Sequence, residues 1–186
     1  MNYYLDCEFI EDGNTIDLIS IGIVSEVGEE FYRVNSCCAF NTADDWVWKN
    51  VLYPMGIYSA FQDLSTVDEE YGSSAELVKV ARRHDEIKDD LLKFIGKDKN
   101  PEFWGEWCSY DWVALCQLFG KMIDLPPHFP MRCRDVIQYC DDHLKMYIEA
   151  LPDSLETKGN HNALLGAYTV KARYEWCLAR ELERTN

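Results

Sequence analysis

Two carboxylates lie one residue apart near the start of the chain, in Asp6-Cys7-Glu8. The surrounding stretch, Asn2 to Ile10, is apolar and aromatic and reads as a β-strand, in which side chains two apart share a face. Asp6 and Glu8 therefore point the same way. Like charges held side by side favour a cation between them, and hard oxygen donors suit a divalent one. Alone the pattern is a weak signal, because a solvated strand edge carries it too. Two later residues strengthen it. Asp111 falls where a strand, Glu102 to Trp107, gives way to an apolar helix, Val113 to Phe119. Aspartate is a preferred helix N-cap, but a carboxylate at the end of a strand is also where α/β sites assemble. His161 introduces the last helix, and an imidazole exchanges protons near neutral pH.

The elements that must position these groups follow from pattern. Ile16 to Val24 and Glu30 to Val34 read as two more strands, joined to the first by Glu11-Asp12-Gly13-Asn14 and Val27-Gly28-Glu29-Glu30, an antiparallel meander. Asp44 to Leu52 reads as a short helix, and Pro54, Gly56 and Gly72-Ser73-Ser74 mark a long irregular connection. Ala75 to Ile95 has apolar residues at helical spacing and is expected to be one helix. Asp135 to Met146 and Asn162 to Leu182 are expected helices, separated by a loop from Pro152 to Asn160. No linker or repeat divides the 186 residues, of which 47% are hydrophobic, so one compact domain is expected.

Eight cysteines are scattered without zinc-ligand spacing and are expected to be reduced, core-filling thiols. No stretch approaches the roughly 18 consecutive apolar residues of a membrane span, and a cytoplasmic location with no membrane partner is expected. The balance of 18 basic against 33 acidic residues gives a net charge of −15, which opposes long-range attraction to nucleic acid. A nucleic-acid enzyme with this balance needs metal ions and a local basic strip, for which Arg82, Arg83, Arg132, Arg134, Lys171 and Arg173 are the available residues.

Taken in order, these residues resemble the DEDDh group of 3′-5′ exonucleases, and more narrowly the small bacterial and phage exoribonucleases typified by a mycobacterial member. Tyr4 to Gly13 with Leu18-Ile19-Ser20-Ile21-Gly22 resembles the first motif of that group. Trp104-Gly105 through Asp111, Ala114 to Leu118 and Leu125-Pro126-Pro127 resemble the second, and His161-Asn162-Ala163-Leu164 the third. The resemblance implies a ribonuclease H-like α/β fold, a mixed sheet flanked by helices. It implies two Mg2+ or Mn2+ ions about 4 Å apart that neutralise the phosphate and activate water. Asp6 and Glu8 would be direct ligands, Asp111 would act through water, and His161 would be the general base. The implied partner is single-stranded or 3′-overhang RNA, with DNA as an alternative, and relatives in the wider group make a homodimer an expectation by analogy.

One position departs from the resemblance. The group carries an aspartate five residues after the histidine, and this chain has Gly166 there. Losing second-shell support alone costs about 10- to 100-fold in metal affinity or activity, so losing a direct ligand should cost at least as much. Glu175, nine residues further along the helix, lies about 13 Å away; Asp153 and Glu156 precede His161 in a loop that could bring them in. Glycine inside a helix costs about 1 kcal/mol against alanine, so folding alone does not call for it. Three functions remain open: a metal-dependent 3′-5′ exoribonuclease, a catalytically silent nucleic-acid binder, and an acidic interaction protein. Phe9, Trp107, Tyr110 and Trp112 flank the carboxylates and could stack on bases. Phe9 is opposite in strand phase to Glu8 and is expected to face away.

Overall fold

The computed structural model describes residues 1–60, 64, 75–145, 151–156 and 161–185. Its centre is a six-stranded mixed sheet in the order β4-β3-β2-β1-β5-β6. The expected meander is present as β1 (Asn2–Glu11), β2 (Ile16–Ser25) and β3 (Glu30–Asn35), paired antiparallel. A helical arm follows, made of α1 (Asp45–Val47), a π-helical turn (Trp48–Leu52) and α2 (Tyr53–Met55). Parallel strands β4 (Ala81–Arg82), β5 (Glu102–Gly105) and β6 (Arg134–Asp135) extend both edges.

Strand alternation divides the core. Tyr3, Leu5 and Cys7 of β1 bury against one face, with Ile87 and Leu91 of α4 (His84–Ile95) and Trp112 and Leu115 of α5 (Ser109–Gln117). Tyr4 turns to the other face, where it meets α6 (Val136–Leu144) and α7 (Ala163–Thr185). Ile10, on that same side, packs under the helical arm.

The expected continuous helix from Ala75 to Ile95 is broken. Helix α3 (Ala75–Val80) ends at β4, which pairs with Val34 and Asn35 of β3, and α4 restarts after it with Glu86 accepting the Arg83 N–H. The apolar stripe serves two masters: Leu77 and Ala81 belong to the core under the helical arm, whereas Ile87, Leu91 and Ile95 belong to the opposite one. A single straight helix cannot bury both, so the chain crosses the sheet edge between them. Gly72-Ser73-Ser74, Met146 and Gly159-Asn160 lie outside the described residues.

The cysteine expectation is corrected as well. Cys140 of α6 and Cys177 of α7 form a disulfide, while Cys7, Cys37, Cys38, Cys108, Cys116 and Cys133 are free. The two cysteines face each other inside the α6/α7 core, a proximity that linear spacing does not reveal. Among the described residues no helix is long and apolar enough to cross a membrane.

Candidate active site

Strands β1 and β5 pair only over Asn2–Tyr4 and Glu102–Trp104, then diverge. The gap between their C-terminal ends opens into a cleft of about 510 Å³, lined by Asp6, Glu8, Phe9, Glu106, Trp107, Asp111, Glu156, His161, Gly166 and Arg173 among others. All four residues singled out by the sequence, Asp6, Glu8, Asp111 and His161, meet there.

Each reaches the cleft for a local reason. Asp6 and Glu8 share a face of β1 as alternation requires. Asp111 sits in the first turn of α5, behind the true helix start at Cys108, so it is not the N-cap. Its carboxylate instead accepts the Cys7 N–H at 2.8 Å, which stitches α5 to β1 beyond the point where β5 has left it. Asn162 caps α7 by accepting from Leu164 and Leu165, which leaves His161 free of capping duty. His161 adopts a left-handed backbone conformation (φ 34°), a geometry that costs a non-glycine residue on the order of 1–3 kcal/mol. Its Nδ1 lies 4.0 Å from Glu8 and its ring stands edge-on to Trp46.

The electrostatics are those of crowded, dehydrated carboxylates. Burial, with Asp111 and Glu8 next, holds the Asp6 carboxyl well above its ordinary range. Burial and Asp111 push Glu8 to about 7. Burial pushes Asp111 to about 6, against the lowering effect of the Cys7 N–H. Among the described residues no Lys or Arg pairs with any of the three. Five of the six basic residues named from the sequence are paired elsewhere: Arg82 to Asp90, Arg83 to Asp85, Arg134 to Glu102, Lys171 to Glu175 and Arg173 to Glu106. Three hard donors with unbalanced charge have the chemistry of a divalent-ion site. Among the described residues no three His, Cys, Asp or Glu side chains are grouped closely enough to hold a metal ion as they stand.

Gly166 has a packing reason that the sequence hides. A Cβ there would fall 2.5 Å from Asp6 Cγ and closer still to its Oδ2. The Asp6 carboxylate occupies the space a side chain at 166 would need. Gly22, opposite Asp6 in the β1/β2 register, likewise has no room for a Cβ beneath the Ala163 carbonyl. Together these glycines let α7 lie directly on the sheet.

Of the aromatics, Trp107 (65% exposed) and Tyr110 (49%) are available at the rim, whereas Trp112 is core. Phe9 keeps the phase expected of it, packing against the Tyr3, Leu5 and Cys7 face, yet it also lines the cleft with Tyr110 edge-on to it; the register shift beside it leaves the extra residue, Ile19, in β2. Sequence reasoning missed Trp46 and Glu106. The available signal for Glu106 was its place directly after Trp104-Gly105, at the divergent end of β5. Glu156 does line the cleft, while Glu175 does not, and the Asp153 side chain is outside the described part of the chain.

The sheet order and this cleft define a ribonuclease H-like α/β protein with an acidic site on its central strand, just past the point where β5 leaves it. Residues 1–177 match the family described as the 3′-5′ exoribonuclease Rv2179c-like domain, and the chain belongs to that family. It is 36% identical over 144 residues to the 3′-5′ exoribonuclease Rv2179c of Mycobacterium tuberculosis (strain ATCC 25618 / H37Rv), covering 76% of this chain and 75% of the relative. The 3′-5′ exoribonuclease MT2234.1 of Mycobacterium tuberculosis (strain CDC 1551 / Oshkosh) matches to the same extent.

Proposed function

We propose that the cleft hydrolyses the 3′-terminal phosphodiester bond of single-stranded or 3′-overhang RNA, with Mg2+ or Mn2+ held by Asp6, Glu8 and Asp111. The observation that carries this is the trio of desolvated carboxylates with no Lys or Arg paired to them among the described residues, set next to an imidazole. Bound divalent ions supply charge neutralisation at the phosphate and acidify water. The chain supplies the rest. His161, with nearly half its side chain exposed at the cleft, accepts the proton of the attacking water. Trp46, in an edge-to-face contact with its ring, limits how far the imidazole can turn. Trp107, Tyr110 and Phe9 offer faces on which terminal bases stack, a form of binding tolerant of sequence.

The space at Gly166, filled by Asp6, favours a second reading, a nucleic-acid binder without turnover. One experiment separates them: end-labelled RNA and, in parallel, end-labelled DNA are incubated with the protein and with His161→Ala in Mg2+ or Mn2+. The exoribonuclease reading expects a 3′-to-5′ ladder on RNA that slows about 10²- to 10⁴-fold without the imidazole. RNA binding with no ladder supports the silent binder, and neither binding nor ladder refutes both.

A further inference from the structure

The cleft contains a fourth buried carboxylate that the motif reading does not assign. Glu106 follows β5 immediately, where that strand has parted from β1, and its side chain is 13% exposed. It lines the same cleft as Asp6, Glu8 and Asp111. One of its oxygens is engaged by Arg173 Nη1, and Arg173 is itself only 14% exposed, on the cleft side of α7. Arg173 stands seven residues, about two helical turns, beyond Gly166 on the same helix face. The face of α7 that lacks a carboxylate at 166 thus carries a guanidinium farther along, and that guanidinium reaches across the cleft to a glutamate on the opposite wall.

This arrangement is unusual as pure scaffolding. A buried ion pair gains little over apolar packing, and Arg173 Nε is buried with no hydrogen-bond partner among the described residues. A pair kept to hold a carboxylate at a cleft wall needs only the Nη1 contact. Glu106 Oε1 takes that contact, and among the described residues no hydrogen bond to Oε2 is present.

We propose that Glu106, positioned by Arg173, is the fourth carboxylate of the divalent-ion site and takes the place of the side chain absent at position 166. The inference rests on the metal-dependent reading given above. Glu106 acts as an ion-binding carboxylate, and Arg173 is a positioning residue that acts through it. Four carboxylates, Asp6, Glu8, Glu106 and Asp111, then surround the cleft, two from the middle of β1, one from just after β5 and one from the start of α5.

Calorimetric titration of the RNA-free protein with Mn2+ tests this, alongside the Mn2+ concentration that gives half-maximal RNA degradation. Glu106→Gln is expected to weaken Mn2+ binding about 10- to 100-fold and to raise the half-maximal Mn2+ concentration in step. Glu106→Asp, which keeps the charge, recovers part of that loss. The double variant Glu106→Gln/Arg173→Gln leaves no stray guanidinium to compete with the ion, and the loss persists in it. Melting in EDTA reports folding separately from binding. A Glu106→Gln protein that melts lower but binds Mn2+ as tightly as wild type shows a purely structural pair and overturns the proposal. Equal Mn2+ affinity in Glu106→Asp and Glu106→Gln overturns it as well. If wild type itself binds no Mn2+ and degrades no RNA, the functional reading falls; if wild type does both and only the Glu106 variants are unaffected, this inference alone falls.

Discussion

Gly166→Ala is the sharpest probe of how this cleft is assembled. A methyl at 166 gains up to about 1 kcal/mol of helix propensity. Against that, the new Cβ falls 2.5 Å from Asp6 Cγ and 3.0 Å from its Cβ. The carboxylate must swing away, and overpacking of this kind costs about 1–3 kcal/mol. The net is a loss of about 0–2 kcal/mol, and for a chain of this size about 2–4 °C of melting temperature per kcal/mol. Because the group that must move is the one on which the site turns, activity should fall more than stability, with Mn2+ affinity falling in parallel. Gly166→Asp adds a further negative charge beside Asp6 and Glu8 in the same occupied space. Motif reasoning says this variant restores a site; the geometry says its RNA degradation at saturating Mn2+ does not exceed wild type. Thermal denaturation in EDTA and a laddering assay on all three proteins decide the matter. A Gly166→Ala protein that melts 2–4 °C higher with undiminished activity, or a Gly166→Asp protein ten times faster than wild type, would refute the steric argument.

Two further outcomes are expected. Glu8 and Asp111 have folded-state values raised to about 7 and about 6, above their unfolded values of 4.5 and 3.8, so the folded state binds their protons more tightly. Their stability contribution is present below the unfolded values and is lost as pH rises through the folded ones. The metal-free melting temperature should therefore decline between about pH 4 and pH 7, and Glu8→Gln should flatten that decline and melt higher than wild type at pH 8; an unchanged slope contradicts the assignment. Reducing Cys140–Cys177, whose partners are 37 residues apart, should cost about 3–4 kcal/mol in the chain-entropy account, read as a lower melting temperature in reductant. A thiol titre of eight rather than six in denatured, unreduced protein would show that the bond is absent.

The sequence carried the site's first layer because that layer depends on local rules. Alternation along β1 put Asp6 and Glu8 together, and motif order brought in Asp111 and His161. The rest depends on three-dimensional coincidence. Phe9 packs on the face opposite Glu8 and still lines the cleft beside Tyr110, a contact made across elements that no pattern along one strand displays. The stripe from Leu77 to Ile95 has perfect helical spacing, yet its halves bury against opposite faces of the sheet. Gly166 looked like a deletion because propensity sees only the helix, while its packing partner is 160 residues away in β1. Glu106 stood inside a recognised motif but drew no notice, since its meaning comes from Arg173, 67 residues later.

Helix α7 carries His161 at its threshold, Gly166 one turn in and Arg173 two turns beyond. It is seated on Gly22 at one end and tied through Cys177 to α6 farther along. His161, the bare patch against Asp6 and the Arg173 clasp on Glu106 are thus mounted on one rigid bar. Any substitution that rolls or slides that bar displaces all three at once. Variation in this chain should accordingly be abrupt in its effect at small buried positions such as Gly22, Ala163 and Ala167, where the bar meets the rest of the fold.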